Sequence, residues 1–225
     1  MKNRVLKIAT LVFLITAILG CNNTNNKTVE QPNQVNSPPV AENTTNVATR
    51  TDKIKIKTET GTDLFELKPQ ADGAKLVDGK EQEIARIKSE KSGKLKFKNP
   101  ADKTLGYVVT EKGSWKLENS SQNQGLYSLI RQNNGDYGLE NAGKKLVYQI
   151  KSNDKGIEIL NPNKQLVYQV RIKEGKTALR NPSGKTVFYT KSSISPIAFA
   201  CFGFDVLNRE QQAALAYAVN LTGGQ

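Results

Sequence analysis

The stretch Gly156-Ile-Glu-Ile-Leu-Asn161-Pro-Asn-Lys-Gln-Leu166-Val-Tyr168-Gln-Val170 alternates apolar and polar residues on both sides of an Asn-Pro turn, which is the pattern of a two-stranded hairpin. The pattern recurs along the chain. Ile157 and Ile159 lie two apart, and on a strand that spacing points both to one face. The same spacing holds for Leu95/Phe97 before Asn99, Trp115/Leu117 before Asn119, Tyr137/Leu139 before Asn141 and Thr177/Leu179 before Asn181. Aligning Lys53-Ile-Lys-Ile-Lys57 with Lys94-Leu-Lys-Phe-Lys98 places Thr58 on Asn99, and Leu76-Val77-Asp78 places Asp78 in the same register. Seven units result, with markers Thr58, Asp78, Asn99, Asn119, Asn141, Asn161 and Asn181 spaced 20, 21, 20, 22, 20 and 20 residues apart. The second arms, Leu105/Tyr107/Val109, Leu146/Tyr148/Ile150 and Leu166/Tyr168/Val170, are expected to alternate with the same period. Asn tolerates left-handed backbone and bonds its own chain, so the markers read as turn formers. Gly93, Gly113, Gly135, Gly156 and Gly175 punctuate the joins between units.

A hairpin of about 20 residues is half a propeller blade, and seven hairpins give up to fourteen antiparallel strands, a sheet long enough to curl or close. The expected fold is mainly β: a closed antiparallel barrel of about 12 strands, with the first unit irregular or pairing at an edge. Such a barrel is wider than side chains alone fill. The filling is expected from Ser195-Pro-Ile-Ala-Phe-Ala-Cys-Phe-Gly-Phe204, apolar all round, as a buried hydrophobic C-terminal helix. Ile197, Phe199, Phe202 and Phe204 form this structural plug, and their burial contributes roughly 6 to 12 kcal/mol as an upper figure. Pro196 suits the first turn of the helix. A second helix is expected after Asn208, capped with help from Gln211, running to Asn220 and ending at Gly223.

Lys2, Arg4 and Lys7 precede an apolar run from Ile8 to Leu19, too short to span a bilayer, and Ile18-Leu19-Gly20-Cys21 follows. This end resembles the lipobox of bacterial lipoproteins, which implies that Cys21 is lipidated and becomes the first residue of the mature chain. Residues 22 to 51 are rich in Asn, Thr, Pro and Ser, the composition of a flexible spacer. The expected organisation is therefore a signal peptide at 1–20, a lipidated Cys and linker at 21–51, and the barrel with its C-terminal helix at 52–225. The expected location is the cell envelope, lipid-anchored on the non-cytoplasmic side of a membrane.

With no His in the chain and Cys201 the one sulfhydryl left after lipidation, a Cys-His metal site and an intramolecular disulfide are both excluded, and no cofactor is expected. Loss of Lys2, Arg4 and Lys7 from a net charge of +12 leaves +9, which favours anionic partners as well as plain solubility. The sharpest charged features are two lysine ladders, Lys53/Lys55/Lys57 and Lys94/Lys96/Lys98. They alternate with Ile54/Ile56 and Leu95/Phe97 and so project outward. Near an anionic lipid surface each Lys adds about 1 kcal/mol, whereas on a solvated barrel the same residues discourage edge pairing. Trp115 reads as core, Cys201 as a small hydrophobe, and Asp205 and Glu210 as capping residues rather than a catalytic pair.

Ser195-Pro196-Ile197-Ala198-Phe199-Ala200-Cys201, with Phe204-Asp205 beyond it, resembles the C-terminal signature of tubby proteins, whose superfamily includes LURP-one-related proteins and phospholipid scramblases. The resemblance implies a closed barrel threaded by a hydrophobic helix and an inclination toward anionic phospholipid. No headgroup-binding residue of that family maps onto a matching motif in this chain. The expected function is a non-enzymatic envelope lipoprotein that binds a membrane or envelope component, with anionic headgroups first and no nucleic acid. The alternatives are a cell-wall or glycan-binding module, since choline-binding repeats are also hairpins of about twenty residues, and scramblase-like lipid handling.

Overall fold

In the computed structural model, which describes residues 52–224, the seven repeats fold as seven hairpins. The signal peptide, the linker and Cys21 lie outside the described residues. The first three hairpins are β1 (Ile54–Thr58) with β2 (Asp63–Gln70), β3 (Gly73–Asp78) with β4 (Glu83–Ser89), and β5 (Leu95–Lys98) with β6 (Thr104–Glu111). Next come β7 (Ser114–Asn119) with β8 (Gly125–Arg131) and β9 (Tyr137–Asn141) with β10 (Leu146–Asn153). The ring ends with β11 (Gly156–Leu160) and β12 (Leu166–Lys173), then β13 (Lys176–Arg180) and β14 (Thr186–Thr190). Each strand is antiparallel to the next, and β1 pairs with β14 through Lys57 opposite Tyr189 and Thr58 opposite Phe188, which closes the barrel.

The barrel has fourteen strands, not about twelve, and the first unit is neither irregular nor at an edge. Its Ile54, Ile56, Phe65 and Leu67 are buried at the same hairpin positions as Ile157, Ile159, Tyr168 and Val170, so that unit has the same apolar face to hide. Each marker accepts from the N–H three residues on, and all but Asn119 donate to the carbonyl four residues on. Asn161 donates its N–H to the Gln165 carbonyl at 2.9 Å and accepts from Lys164 N–H at 2.9 Å, with Lys164 left-handed at φ 62°. The Asn161 side chain accepts two further backbone N–H bonds, from Asn163 at 3.0 Å and Gln165 at 2.9 Å. The longer spacings of 21 and 22 are absorbed in turns. Glu90–Lys94 and Gln132–Asp136 are wider joins, and the Asn119 loop closes on Gln124, one residue later than its counterparts. An inserted residue within a strand would have flipped every later side chain to the wrong face.

One second arm is out of phase with expectation. In β6 the inward residues are Gly106 and Val108, not Leu105/Tyr107/Val109: every hairpin skips one residue of its second arm just after the turn, and counted from the marker Leu105 is that residue, as Val147 and Val167 are in β10 and β12. Gly106 is required there. A Cβ at this position would lie 2.7 Å from the Phe97 ring and 2.5 Å from the Glu118 carbonyl oxygen. Tyr107 instead packs on the outside beneath Lys96, whose Nζ sits 5.5 Å from the ring centroid.

The interior is filled by two helical pieces rather than one ten-residue helix. The first is α1 (Pro196–Ala200), capped by Ser195 and continued by a 3-10 turn over Cys201–Gly203; the second is α2 (Arg209–Leu221). Gly203 lets the chain turn tightly against the wall, since a Cβ there would stand 3.1 Å from Leu179. Asn208 and Gln211 form a reciprocal capping box at the start of α2. Ile197, Phe199, Phe202 and Phe204 are all buried. Phe202 meets Phe65 at 5.2 Å, Phe199 meets Phe188 at 5.6 Å, and Phe204 stacks on Tyr148 at 5.7 Å between ring centroids. α1 packs against β11–β13 and α2 against β3–β7, with Ala213, Ala214, Ala216 and Ala218 of α2 buried. Fourteen strands enclose more space than one short helix fills, and alanines let the second helix share it.

Candidate functional site

The lysine ladders lie where alternation places them, on the outer surface, but each lysine meets a carboxylate. Lys53 approaches Glu66 at 3.5 Å, Lys55 reaches Asp63 at 3.1 Å and Glu66 at 3.6 Å, and Lys57 reaches Asp63 at 2.5 Å. On the second ladder Lys94 pairs with Glu118 at 3.3 Å, Lys96 with Glu90, and Lys98 with Asp102 at 3.1 Å. Glu66 and Glu118 are buried beneath the lysine stems. Hydrogen bonds from Lys57 and then Lys55 hold the Asp63 carboxyl below the usual range, and the Asp63 bond raises Lys55. Burial pushes Glu118 up, but hydrogen bonds from Lys116 and Lys94 outweigh it and the net direction is down. The ladders are thus charge-compensated lattices. The hairpin register held the signal for this, because Lys55 stands directly opposite Glu66 and the bulge beside Lys57 brings Asp63 across from it.

The other half of the ring differs. All but two of the ion pairs among the described residues lie between Lys53 and Glu118; the two beyond are Arg171–Glu158 at 3.8 Å and Lys173–Glu174 at 3.5 Å. From Leu166 at the start of β12 to Lys191 just after β14, Arg171, Lys173, Lys176, Arg180, Lys185 and Lys191 face Glu174 as the one acidic residue of that stretch. Composition alone did not separate paired from unpaired lysines.

The remaining candidates have structural partners. Trp115 is fully buried beside Tyr137, ring centroids 6.3 Å apart. Cys201 is buried, its Sγ 3.3 Å from the Ile197 carbonyl, and burial pushes its thiol far up, which keeps the nucleophilic thiolate away. Asp205 does not cap a helix; it accepts from the Tyr168 hydroxyl at 3.0 Å, while Asn208 is the cap and Glu210 sits in the first turn of α2, where its charge suits the helix dipole. Where α1 begins, a cleft of 370 Å³ is lined by Tyr137, Ser152, Asp154, Ile157, Ile172 and Ile197 among others. The Tyr137 hydroxyl there is committed to the Gly224 carbonyl at 2.6 Å. No cluster of His, Cys, Asp or Glu suited to a metal occurs among the described residues. No helix among them is long and apolar enough to cross a membrane. On β1, β2, β4 and β5 the outward positions carry Lys, Arg and Glu, opposite to the apolar band of a membrane-spanning barrel.

No family model matches the sequence. No curated protein matches it either. Among solved structures, the chain is similar to the X-ray structure of a protein from Arabidopsis thaliana, AT5G01750, at 14% identity and a TM-score of 0.36, over 62% of this chain and 77% of that one. It is also similar to alternansucrase in complex with isomaltononaose, at 12% identity and a TM-score of 0.17, over 57% of this chain and 12% of that one. Likeness this loose carries no functional argument, and the chemistry must be read from the chain itself.

Proposed function

We propose that this chain is a membrane-anchored envelope lipoprotein without enzymatic activity, whose tubby-like barrel binds an anionic envelope component, phospholipid headgroups before others. The observation that carries the reading is the placement of charge. The lumen is filled by the chain's own helices, so the available surface is the outside. Ahead of residue 52, Lys2, Arg4, Lys7, Lys27 and Arg50 against Glu30 and Glu42 account for +3 of the net +12, and the remaining +9 belongs to the barrel. A positive outer surface close to a membrane is drawn to anionic lipid. The tubby-like assignment is supported by the Ser195–Cys201 run, which is N-capped, helical and enclosed by a closed antiparallel ring.

A stacked solenoid of hairpins, the arrangement associated with choline-binding repeats, keeps its ends apart, whereas here β1 bonds to β14. The test is lipid and glycan profiling of material that co-purifies with the protein from its native envelope. Enrichment of anionic phospholipid over the bulk membrane composition is expected. A glycan or choline-bearing polymer in its place would overturn the reading in favour of a wall-binding module.

A further inference from the structure

We propose that the outer wall formed by β12, β13 and β14 is the face that lies against an anionic phospholipid bilayer, an inference that rests on the lipid-binding reading above and replaces the lysine ladders as its site. The register fixes the lattice. Arg171 stands opposite Ala178, Ala178 opposite Tyr189, Gln169 opposite Arg180, and Lys173 opposite Lys176. Ala178, the smallest side chain at the centre, is buried under its longer neighbours, and Lys176 Nζ lies 3.8 Å from the centroid of the Tyr189 ring. Around this floor stand cations with almost no compensation. Lys176, Arg180, Lys185 and Lys191 have no ion-pair partner among the described residues, and the closest carboxylate to Arg171 is Glu158 at 3.8 Å.

Arg171 Nη1 and Arg180 Nε are each shielded from solvent without a hydrogen-bond partner, while Arg171 Nε and Nη2 donate to Gln169 Oε1 at 3.2 and 3.0 Å. The two residues are diagonal neighbours, about 7 to 8 Å apart along the sheet, so a phosphate between them can accept from both once the side chains turn outward and Arg171 exchanges its bonds to Gln169. The guanidinium fork suits a phosphodiester better than an ammonium does. Val187, on the same wall beside Arg180, leaves 41% of its surface exposed, an aliphatic contact for the region beneath the headgroups. The ladder Lys94/Lys96/Lys98, at and just before β5, lies on the far side of the ring, seven strands from β12 and six from β13, with every lysine paired.

The experiment uses residues 21–225 carrying Cys21→Ser, so that no acyl chain is attached, and co-sedimentation with phosphatidylcholine vesicles with or without phosphatidylglycerol. Binding is expected with phosphatidylglycerol only and is expected to weaken with salt, as screening contracts from about 10 Å at 0.1 M. The triple variant Lys176→Gln, Lys185→Gln, Lys191→Gln is expected to partition about 100-fold more weakly, at roughly fivefold per cation. Lys94→Gln, Lys96→Gln, Lys98→Gln removes the same net charge from the opposite side, and a loss below about fivefold is expected. Thermal midpoints close to that of the parent chain establish that both variants are folded. Equal losses in the two variants, or no loss in the wall variant, overturn this assignment while leaving lipid binding intact. A parent chain that ignores phosphatidylglycerol, including one that binds soluble polyphosphate alone, overturns the lipid-binding function and this surface together.

Discussion

Phe199→Ala probes the interior most directly. The Phe199 ring is fully buried, 5.6 Å from Phe188 on the wall and 6.4 Å from Phe202 on the adjoining turn, centroid to centroid, so its removal leaves an apolar void between helix and barrel. Lost transfer and cavity formation together put the cost at about 3 to 5 kcal/mol. For a domain of this size 1 kcal/mol moves the thermal midpoint by about 2 to 4 °C, so a fall of roughly 6 to 20 °C is expected. Urea unfolding should show a lower midpoint with an unchanged slope, since the surface exposed on unfolding barely changes. A dry cavity of this shape should also accept benzene, which is expected to restore part of the loss. Ile172→Ala serves as the control, because Ile172 is 53% exposed at the barrel rim and its truncation should cost about 0.5 kcal/mol or less. A loss for Phe199→Ala below about 1 kcal/mol would refute the argument that the oily C-terminal segment is the shared interior of the strands.

Lys164→Gly is expected to raise stability by about 0.5 to 1 kcal/mol in urea titrations, because Lys164 sits at φ 62° where glycine has no steric penalty; a decrease would contradict the turn assignment. Asp63 has a folded pKa below its ordinary 3.8, so its contribution is present above that value and disappears as pH falls through the folded value; Asp63→Asn should flatten this acid limb, and an NMR titration at or above 3.8 would contradict the pairing with Lys57 and Lys55. Cys201 should resist alkylation at pH 8 in the folded protein and react readily in denaturant, and fast labelling of the native chain would mean that α1 leaves the barrel.

The fold was legible because the same two inward positions recur in every unit. Ile157/Ile159 and Leu95/Phe97 fix the face of a strand, and the marker three residues before each left-handed position fixes the turn. What escaped was anything set by the partner strand. The bulge after each turn is one such feature: it skips Leu105, Val147 and Val167 alike, six residues past the marker, whereas Leu105/Tyr107/Val109 shows the same alternation in the wrong phase. The strand number escaped for a related reason, since Thr58 gives no sign that its arm bonds a strand about 130 residues away. The second interior helix was visible as Ala213 to Tyr217 but not as filling, because its role depends on the diameter, and the diameter follows from the strand count.

The same dependence on partners governs the candidate site. A repeat that spends its inward residues on packing leaves only its outward columns to distinguish one unit from another, and those columns diverge around this ring. On β1 and β2 each outward lysine stands near a carboxylate of the facing arm, so an approaching anion must compete with Glu66 or Asp63 for the ammonium. On β12 to β14 the facing residues are Gln169, Ala178 and Tyr189, and an anion there replaces water rather than a carboxylate. Of two surfaces with comparable numbers of cations, the one whose register withholds the counter-charge has the greater affinity to offer a headgroup.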